Sequence, residues 1–160
     1  MGSGTPATVA LERAGVRFSL HSYEHDPRSQ SYGLEAAAAL GLDPMQVFKT
    51  LVVDCGAGKP PLAVAIVPVS GQLDLGRCAA ALGVKKVAMA TPAVVERVTG
   101  YVLGGVSPLG QKTTLPTVID ETAQLWDTVY VSAGRRGLDL GLDPTDLARL
   151  TNATFADIAK

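Results

Sequence analysis

Four short stretches of this chain carry the same helix-start signal, a good capping residue followed directly by proline. Threonine and aspartate side chains accept hydrogen bonds from first-turn amides, and proline fits the first helical position because the amide there needs no partner. The four pairs are Thr5 and Pro6, Asp43 and Pro44, Thr91 and Pro92, and Asp143 and Pro144. With 17 glycines and 10 prolines in the chain, this pattern indicates short elements joined by tight turns, as in a mixed α and β domain.

Glycines mark where the predicted helices end. Gly15, Gly41 and Gly100 each follow a stretch with helical character, and Gly83 follows a helix that Asp74 is expected to cap. The helix that begins at Asp143 is expected to end near Leu150, and residues 155–159 are expected to form a last short turn.

Apolar segments between the helices have the length and composition of β-strands. Residues 47–54 and 62–67 flank a turn at 55–60, which predicts an antiparallel hairpin. Further strands are predicted at residues 16–21, 87–89, 117–120 and 128–132, and around Leu138 and Leu140. Because helices and strands are intermixed without regular βαβ spacing, the sequence predicts an α+β fold with a mixed, mostly antiparallel sheet flanked by helices.

Length and charge restrict the class of protein. The 160 residues are close to the usual size of one domain, so residues 5–160 are expected to form a single domain after a flexible N-terminus at residues 1–4. The formal net charge of −1 argues against a strongly basic nucleic-acid binder but does not exclude a local basic patch. The longest apolar run has strand length, well below the ~20 residues that span a membrane, and no signal peptide is visible. We therefore expect a soluble cytoplasmic protein with no membrane partner.

Lys49 interrupts the apolar strand predicted at residues 47–54 and shares a face of that strand with Leu51. A lysine among apolar neighbours either extends its charge to solvent at a sheet edge or points at an anion. The pattern alone favours the first interpretation.

Two glycine-containing segments are candidate binding loops. Residues 104–110 can turn sharply and present successive amides to an anion, with Lys112 close behind, although the spacing does not match a Walker A loop. In residues 131–137, Ser132 ends a predicted strand before a glycine turn that carries Arg135 and Arg136, an arrangement that suits a nucleotide. For both segments an ordinary structural or solvated turn is the favoured interpretation.

The histidines and cysteines give weaker signals. His21 and His25 share a polar segment, but their spacing does not match the zinc-binding helix motif, so we interpret the segment as a loop in which Tyr23 makes hydrogen bonds. Cys55 falls in the predicted hairpin turn and Cys78 on a predicted helix, and neither has an identifiable basic partner. The sequence therefore predicts neither a metal site nor a nucleophilic cysteine.

Five motifs occur together in one order along the chain. They comprise residues 21–26, 47–51, 68–75, 100–112 and 131–138. Each motif alone is weak, but in register over nearly the whole chain they resemble the YbaK/EbsC family of free-standing tRNA-editing proteins. The resemblance implies a mixed, barrel-like β core with surrounding helices. It also implies a deacylase of Cys-tRNA(Pro), with Cys-tRNA(Cys) as a further candidate substrate, and a mechanism without metal, cofactor or covalent enzyme intermediate.

The same resemblance assigns roles to individual residues. The expected catalytic residues are Lys49, Gly104 and Gly105. The expected substrate-binding residues are Tyr23, Thr50, Ser107, Pro108, Ser132 and Asp139. The expected tRNA-binding residues are Lys112, Arg135 and Arg136.

The implied chemistry fits a chain without a catalytic triad. The family is thought to use the cysteine thiol of the substrate to attack its own ester carbonyl, and at a free pKa of about 8.5 a few per cent of that thiol is ionised at neutral pH. The protein then has to orient the thiol and stabilise the developing oxyanion, as amides of a glycine loop can.

Three other functions remain open from the sequence. One is an editing deacylase for another small amino acid such as alanine, with water as the nucleophile. The second is a non-catalytic module that binds tRNA or a synthetase, and the third is a phosphate-binding protein. Because the chain is nearly neutral, we also expect prolyl-tRNA synthetase as a partner in a transient ternary complex. In that complex the synthetase would contribute most of the binding affinity for the tRNA.

Overall fold

The computed structural model describes residues 4–160, so residues 1–3 of the predicted flexible N-terminus lie outside the described part. The helices in that part are α1 (Pro6–Ala14), α2 (Tyr32–Leu40), α3 (Leu75–Leu82), α4 (Pro92–Thr99) and α5 (Pro144–Thr151), with a 3₁₀ helix at Glu121–Leu125. None of them is long and apolar enough to cross a membrane.

Three of the four predicted helix starts are confirmed. The side chains of Thr5, Thr91 and Asp143 each accept a hydrogen bond from an amide of the following turn. The prediction at Asp43 is wrong, because residues 44–46 form only a turn. Its carboxylate accepts from the amide of Met45 at 2.9 Å, and the chain enters a strand almost immediately. The segment between Asp43 and β2 is therefore too short for a helix.

Eight strands complete the described part of the chain. They are β1 (Ser19–Ser22), β2 (Phe48–Asp54), β3 (Leu62–Pro68), β4 (Ala88–Met89), β5 (Thr117–Asp120), β6 (Val129–Arg135), β7 (Leu138–Leu142) and β8 (Thr154–Ala156). The turn predicted at residues 155–159 is wrong in its first part, because Thr154–Ala156 pairs in parallel with β5. That pairing is non-local, and the short polar stretch before it carries no strand signal.

The strands form two sheets. A three-stranded antiparallel sheet has the order β1-β7-β6, and a five-stranded mixed sheet has the order β4-β2-β3-β5-β8. The predicted hairpin of β2 and β3 is confirmed, and it pairs Lys49 with Val67. An isolated bridge between Val47 and Tyr130 connects the two sheets. The α+β prediction is thus confirmed, whereas the barrel-like core is realised as two sheets and not as one closed barrel.

The five-stranded sheet is covered on both faces, which explains the continuous apolar sequence of β3. Phe48 and Ile66 on one face belong to a core cluster that includes Leu140 of the small sheet and Leu11 of α1. The opposite face packs in a second cluster against Cys78 and its neighbours on α3. Lys49, Thr50 and Leu51 near the beginning of β2 are only partly buried, and the candidate site lies beside them.

Candidate active site

A cavity of about 360 Å³ opens where β2 begins. This volume lies within the range of about 300–1,000 Å³ that is usual for small-ligand sites. Its walls come from the segment before and at the start of α2, the start of β2, the loop after α4, and facing positions of β6 and β7. Six of the sequence-predicted site residues line it, namely Tyr23, Lys49, Thr50, Gly104, Ser132 and Asp139.

Lys49 lies on the cavity wall and is half-buried. Burial lowers the pKa of its ammonium group, because removal from water disfavours the charged form. Within residues 4–160 this group has neither an ion pair nor a hydrogen bond. A cation without a protein partner, held at a cavity, is available to an oxygen of a bound ligand.

Thr50 follows Lys49 on β2 and also lines the cavity, and its hydroxyl oxygen is buried without a hydrogen-bond partner among the described residues. A buried hydroxyl without a partner costs free energy on the order of 1–3 kcal/mol. Such a group lining a cavity is suited to bond a ligand that enters.

The opposite wall comes from the small sheet, where Ser132 of β6 pairs with Asp139 of β7. Asp139 is 5% exposed, and burial raises the pKa of its carboxyl to about 7. Burial and the nearby charge of Asp139 raise the pKa of the Tyr23 phenol to about 12. Ser132 accepts a hydrogen bond from the amide of Gly134 at 3.2 Å. This wall thus offers a phenol, a hydroxyl and a readily protonated carboxyl group.

The glycine-rich loop after α4 is only partly exposed to the cavity. Gly104 lines the cavity and has a φ of +84°, a conformation that favours glycine. Gly105, Ser107 and Pro108 are buried outside the cavity lining. Their roles in catalysis and substrate binding therefore stay predictions. In the structure these residues are buried beside Gly104 and do not line the cavity themselves.

The three predicted tRNA-binding residues do not lie together in the structure. Arg136 lies at the cavity rim, where its Nε donates to the carbonyl of Leu103 at 2.8 Å and its guanidinium lies 5.1 Å from the ring centre of Tyr32. Arg135 precedes it at the exposed end of β6. Lys112 is exposed and does not line the cavity, so the structure does not bring it into the site.

Sequence reasoning missed the contribution of the segment that leads into α2. Tyr32 and Leu34 line the cavity, although neither is among the residues that the sequence predicts for the site. The overlooked signal was Glu35, whose carboxylate binds Nδ1 of His25 and the amide of Asp26, both at 2.7 Å. This contact ties the polar histidine segment to α2.

The residues most suited to nucleophilic or metal chemistry lie elsewhere. His25 binds Glu35, and His21 lies 2.8 Å from the hydroxyl of Ser19. Cys55 and Cys78 are buried and do not line the cavity, and burial, followed by the influence of Cys55, raises the pKa of Cys78 to about 11. Residues 4–160 contain no group of three histidine, cysteine or acidic side chains that could hold a metal ion.

Comparison with known proteins places this site in a family. The aminoacyl-tRNA editing domain matches residues 29–150. EbsC of Enterococcus faecalis, named as a Cys-tRNA(Pro)/Cys-tRNA(Cys) deacylase, is 42% identical over 76% of this chain and 73% of its own length. ProXp-y of Escherichia coli K12, named as a multifunctional Ser/Thr-tRNA deacylase, is 27% identical over 94% of this chain and 89% of its own.

The fold agrees with these matches. A crystal structure of a protein described as a trans-editing enzyme for prolyl-tRNA synthetase superimposes with a TM-score of 0.82 and 29% identity. The alignment covers all of this chain and 98% of that one. The chain therefore belongs to the aminoacyl-tRNA editing domain family, among the YbaK/EbsC proteins.

Proposed function

We propose that this protein is a trans-editing deacylase that hydrolyses the ester of Cys-tRNA(Pro), with Cys-tRNA(Cys) as a further substrate. The family match and the 42% identity to EbsC support an aminoacyl-tRNA substrate and the cysteine specificity. The reaction belongs in the cytoplasm, where aminoacyl-tRNAs are used. We further propose that residues 5–160 act as one editing domain.

The observation that carries the mechanism is the chemical content of the cavity. Lys49, Thr50 and Asp139 line it, whereas both cysteines and both histidines lie outside its lining. The hydroxyl of Ser132 accepts a hydrogen bond from the amide of Gly134, and the cavity lining places no histidine beside it. A site that holds polar groups without an activated nucleophile suits a substrate that brings its own.

The substrate thiol can supply the nucleophile for an already activated ester. Its sulfur attacks the ester carbonyl carbon and forms a carbon–sulfur bond, the carbon–oxygen bond to the ribose breaks, and the ribose oxygen takes up the proton that the thiol has lost. Water then opens the resulting thiolactone to free cysteine. The protein orients the thiol and stabilises the oxyanion, and we assign these tasks to Lys49, Thr50 and the loop at Gly104.

The function is tested by deacylation of tRNA(Pro) charged with cysteine, alanine or proline. The wild type should clear Cys-tRNA(Pro) and spare the other two, and Lys49→Ala should lower kcat/KM at least about 100-fold, the order of magnitude of losing one oxyanion-stabilising group. Circular dichroism and Tm confirm that the variant is folded. Clearance of the alanyl ester with sparing of the cysteinyl ester would reject the proposal, and hydrolysis of neither would favour a binding module.

A seryl ester distinguishes attack by the substrate thiol from attack by water. The sequence likeness to ProXp-y makes serine the second candidate specificity. If the substrate thiol attacks, Ser-tRNA(Pro) should resist hydrolysis, because a serine hydroxyl is scarcely ionised at neutral pH. Hydrolysis at a rate comparable with the cysteinyl ester would show that water is the nucleophile.

We also propose a transient ternary complex with prolyl-tRNA synthetase. The near-neutral net charge of −1 supports it, because such a surface cannot by itself neutralise many phosphates. A mobility-shift experiment with synthetase and tRNA(Pro) should show a complex of all three. Separate migration of the protein under low-salt conditions would contradict this partnership.

A further inference from the structure

A second depression adjoins the candidate active site along β2. It is lined by Lys49, Leu51, residues 72–76, Met89 and Lys160, and we call it the adjoining groove. Lys49 and Leu51 line both this groove and the cavity described above. The two depressions therefore adjoin at these residues, and Lys49 lies between them.

The connectivity of an aminoacyl-tRNA matches this arrangement. In such a molecule the ester group stands between the amino acid on one side and the terminal ribose and its base on the other. If the cavity holds the aminoacyl group, then a residue that borders two adjoining depressions lies at the ester, and the second depression receives the nucleoside. We propose that the adjoining groove binds the 3′-terminal nucleoside of the substrate, an inference that rests on the deacylase function proposed above.

The surface of the groove suits a nucleobase. Leu75 is 40% exposed and Met89 is 48% exposed, so two large apolar side chains from separate elements face solvent in one groove. Bases removed from their stack are commonly held between aromatic or apolar side chains. The exposed side-chain amide of Gln72 lies in the same lining and can form hydrogen bonds with a base edge or a ribose hydroxyl.

The charges of the groove favour a nucleotide as well. Lys49 and Lys160 contribute two cations to the lining. The one acidic side chain of the lining, Asp74, is occupied, because its carboxylate accepts from the amide of Arg77 at 3.0 Å and lies 3.8 Å from the Arg77 guanidinium. An incoming phosphate therefore meets lysine charges and a carboxylate that is already compensated.

The alternative entrance lies at the opposite rim. There Arg136 is bonded to the carbonyl of Leu103 and covers the ring of Tyr32. A base that stacked on this face of Tyr32 would have to displace the guanidinium, whereas Leu75 and Met89 are open to solvent. The observations thus favour the groove beside Lys49 for the terminal nucleoside.

The proposal is tested by comparing two esters that differ in the nucleoside. Met89→Glu should raise KM for Cys-tRNA(Pro) about tenfold or more, because it places a charge where the base packs. Hydrolysis of cysteine ethyl ester, which has no nucleoside, should keep the wild-type kcat/KM. Leu125→Glu, at an apolar side chain that is 78% exposed and outside both depressions, is the matched control and should change neither value.

Three kinetic outcomes would overturn the proposal. An unchanged KM for Cys-tRNA(Pro) in Met89→Glu would show that the base does not use the groove. An equal loss on both esters, or an equal effect of Leu125→Glu, would show a general structural disturbance. Gln72→Ala and Lys160→Ala provide independent variants, and each should also raise KM for the tRNA substrate alone.

Photo-crosslinking separates this proposal from the proposed activity. Uncharged tRNA(Pro) with a photoreactive 3′-terminal adenosine should label Leu75 or Met89. Labelling of Tyr32 or Leu103 instead would place the nucleoside at the opposite rim and overturn the inference. Labelling of the groove by a protein that hydrolyses no cysteinyl ester would retain the nucleoside site and reject only the deacylase function.

Discussion

At the scale of single residues, the cavity is defined by two ionisable groups that burial pushes towards their neutral forms. Burial lowers the pKa of Lys49 and raises that of Asp139 to about 7. Neither change depends on the other, because desolvation is the only cause in each case. The cavity is thus a place where charge is costly until a ligand compensates it.

The titration of Asp139 should be visible in the stability of the protein. The folded protein keeps a proton that the unfolded chain releases near pH 3.8, its ordinary pKa, and the folded state releases it only near 7. This contribution to the free energy of unfolding is present below about pH 4 and is lost as the pH rises through about 7, at most ~4 kcal/mol. The Asp139→Asn variant has no titrating group at this position, so its free energy of unfolding lacks this pH-dependent contribution.

Urea denaturation between pH 4.5 and 8 measures this effect. The stability of Asp139→Asn relative to the wild type should increase from pH 4.5 to about pH 7 and then level off. Asp127→Asn, at an exposed position, is the matched control and should run parallel to the wild type. A parallel course for Asp139→Asn as well would show that its carboxyl group is not desolvated.

At the scale of elements, the site depends on how loops and helices are held against the two sheets. The contact between His25 and Glu35 joins the loop that carries Tyr23 to helix α2, which carries further lining residues. Both side chains are mostly buried, with 17% and 13% exposed. The bond is therefore better protected from solvent than an ordinary surface pair.

A double-mutant cycle should detect this connection. His25→Ala and Glu35→Ala are expected to show a coupling energy of about 1 kcal/mol in urea denaturation. Each single variant should also raise KM for the aminoacyl-tRNA, because both cavity segments lose their tie. The exposed Asp146 and Arg149 pair, 3.1 Å apart, is the matched control and should couple by less than about 0.5 kcal/mol. Equal couplings in the two cycles would refute the structural role.

The loop after α4 is fixed by a close approach of two backbones. A Cβ atom on Gly105 would lie 2.7 Å from Cα of Arg135 and 2.9 Å from its carbonyl carbon. Since backbone atoms cannot turn aside as a side chain does, Gly105→Ala should destabilise the protein by about 2 kcal/mol and lower its Tm. Activity should fall with it, because Gly104 on the cavity wall is the adjacent residue.

A glycine where a Cβ would make one ordinary van der Waals contact provides the comparison. A Cβ on Gly76, within α3, has Asp74 Oδ1 at 3.4 Å as its nearest contact. Gly76→Ala should therefore raise the Tm slightly, in line with the higher helix propensity of alanine. If both alanine variants had the same Tm as the wild type, the loop would be free to shift away from Arg135.

At the scale of the whole molecule, residues 158–160 are held by backbone hydrogen bonds to residues 72–74 and by one buried carboxylate. Asp120 is 1% exposed and accepts from the amides of Ile158 and Ala159, each at 3.0 Å. It also accepts from the amide and hydroxyl of Thr122. Lys160, which lines the adjoining groove, exchanges two backbone hydrogen bonds with Gln72, and Asp120 at the end of β5 fixes the two residues before it.

Asp120→Ala should test this long-range support. Four hydrogen bonds lose their acceptor, two buried or partly buried amides are left unpaired, and we expect a loss of about 3 kcal/mol in the free energy of unfolding. Asp157→Ala removes an exposed partner of Arg77 and should cost less than about 1 kcal/mol. Chemical denaturation compares the two, and similar losses would contradict the proposed role of Asp120.

Helices and strands were predicted correctly where their formation depends on residues that are close in sequence. The caps at Thr5, Thr91 and Asp143 and the hairpin of β2 and β3 are such cases. The cap at Asp43 failed because the same side chain that starts a helix also stabilises a turn, and the following strand decides between them. Strand β8 had no local signal, since it is defined by its partner β5.

That Lys49 interrupts an apolar strand, and that glycine-rich and arginine-bearing turns follow it, can be read from the sequence alone, because these are properties of neighbouring residues. The packing of the two sheets places Ser132 and Asp139 of one sheet in the same cavity lining as Lys49 and Thr50 of the other, whereas Gly105 and Lys112 lie outside that lining. Pairing between strands that are distant in sequence depends on side-chain packing over the whole core, and a local pattern of residues does not contain that information.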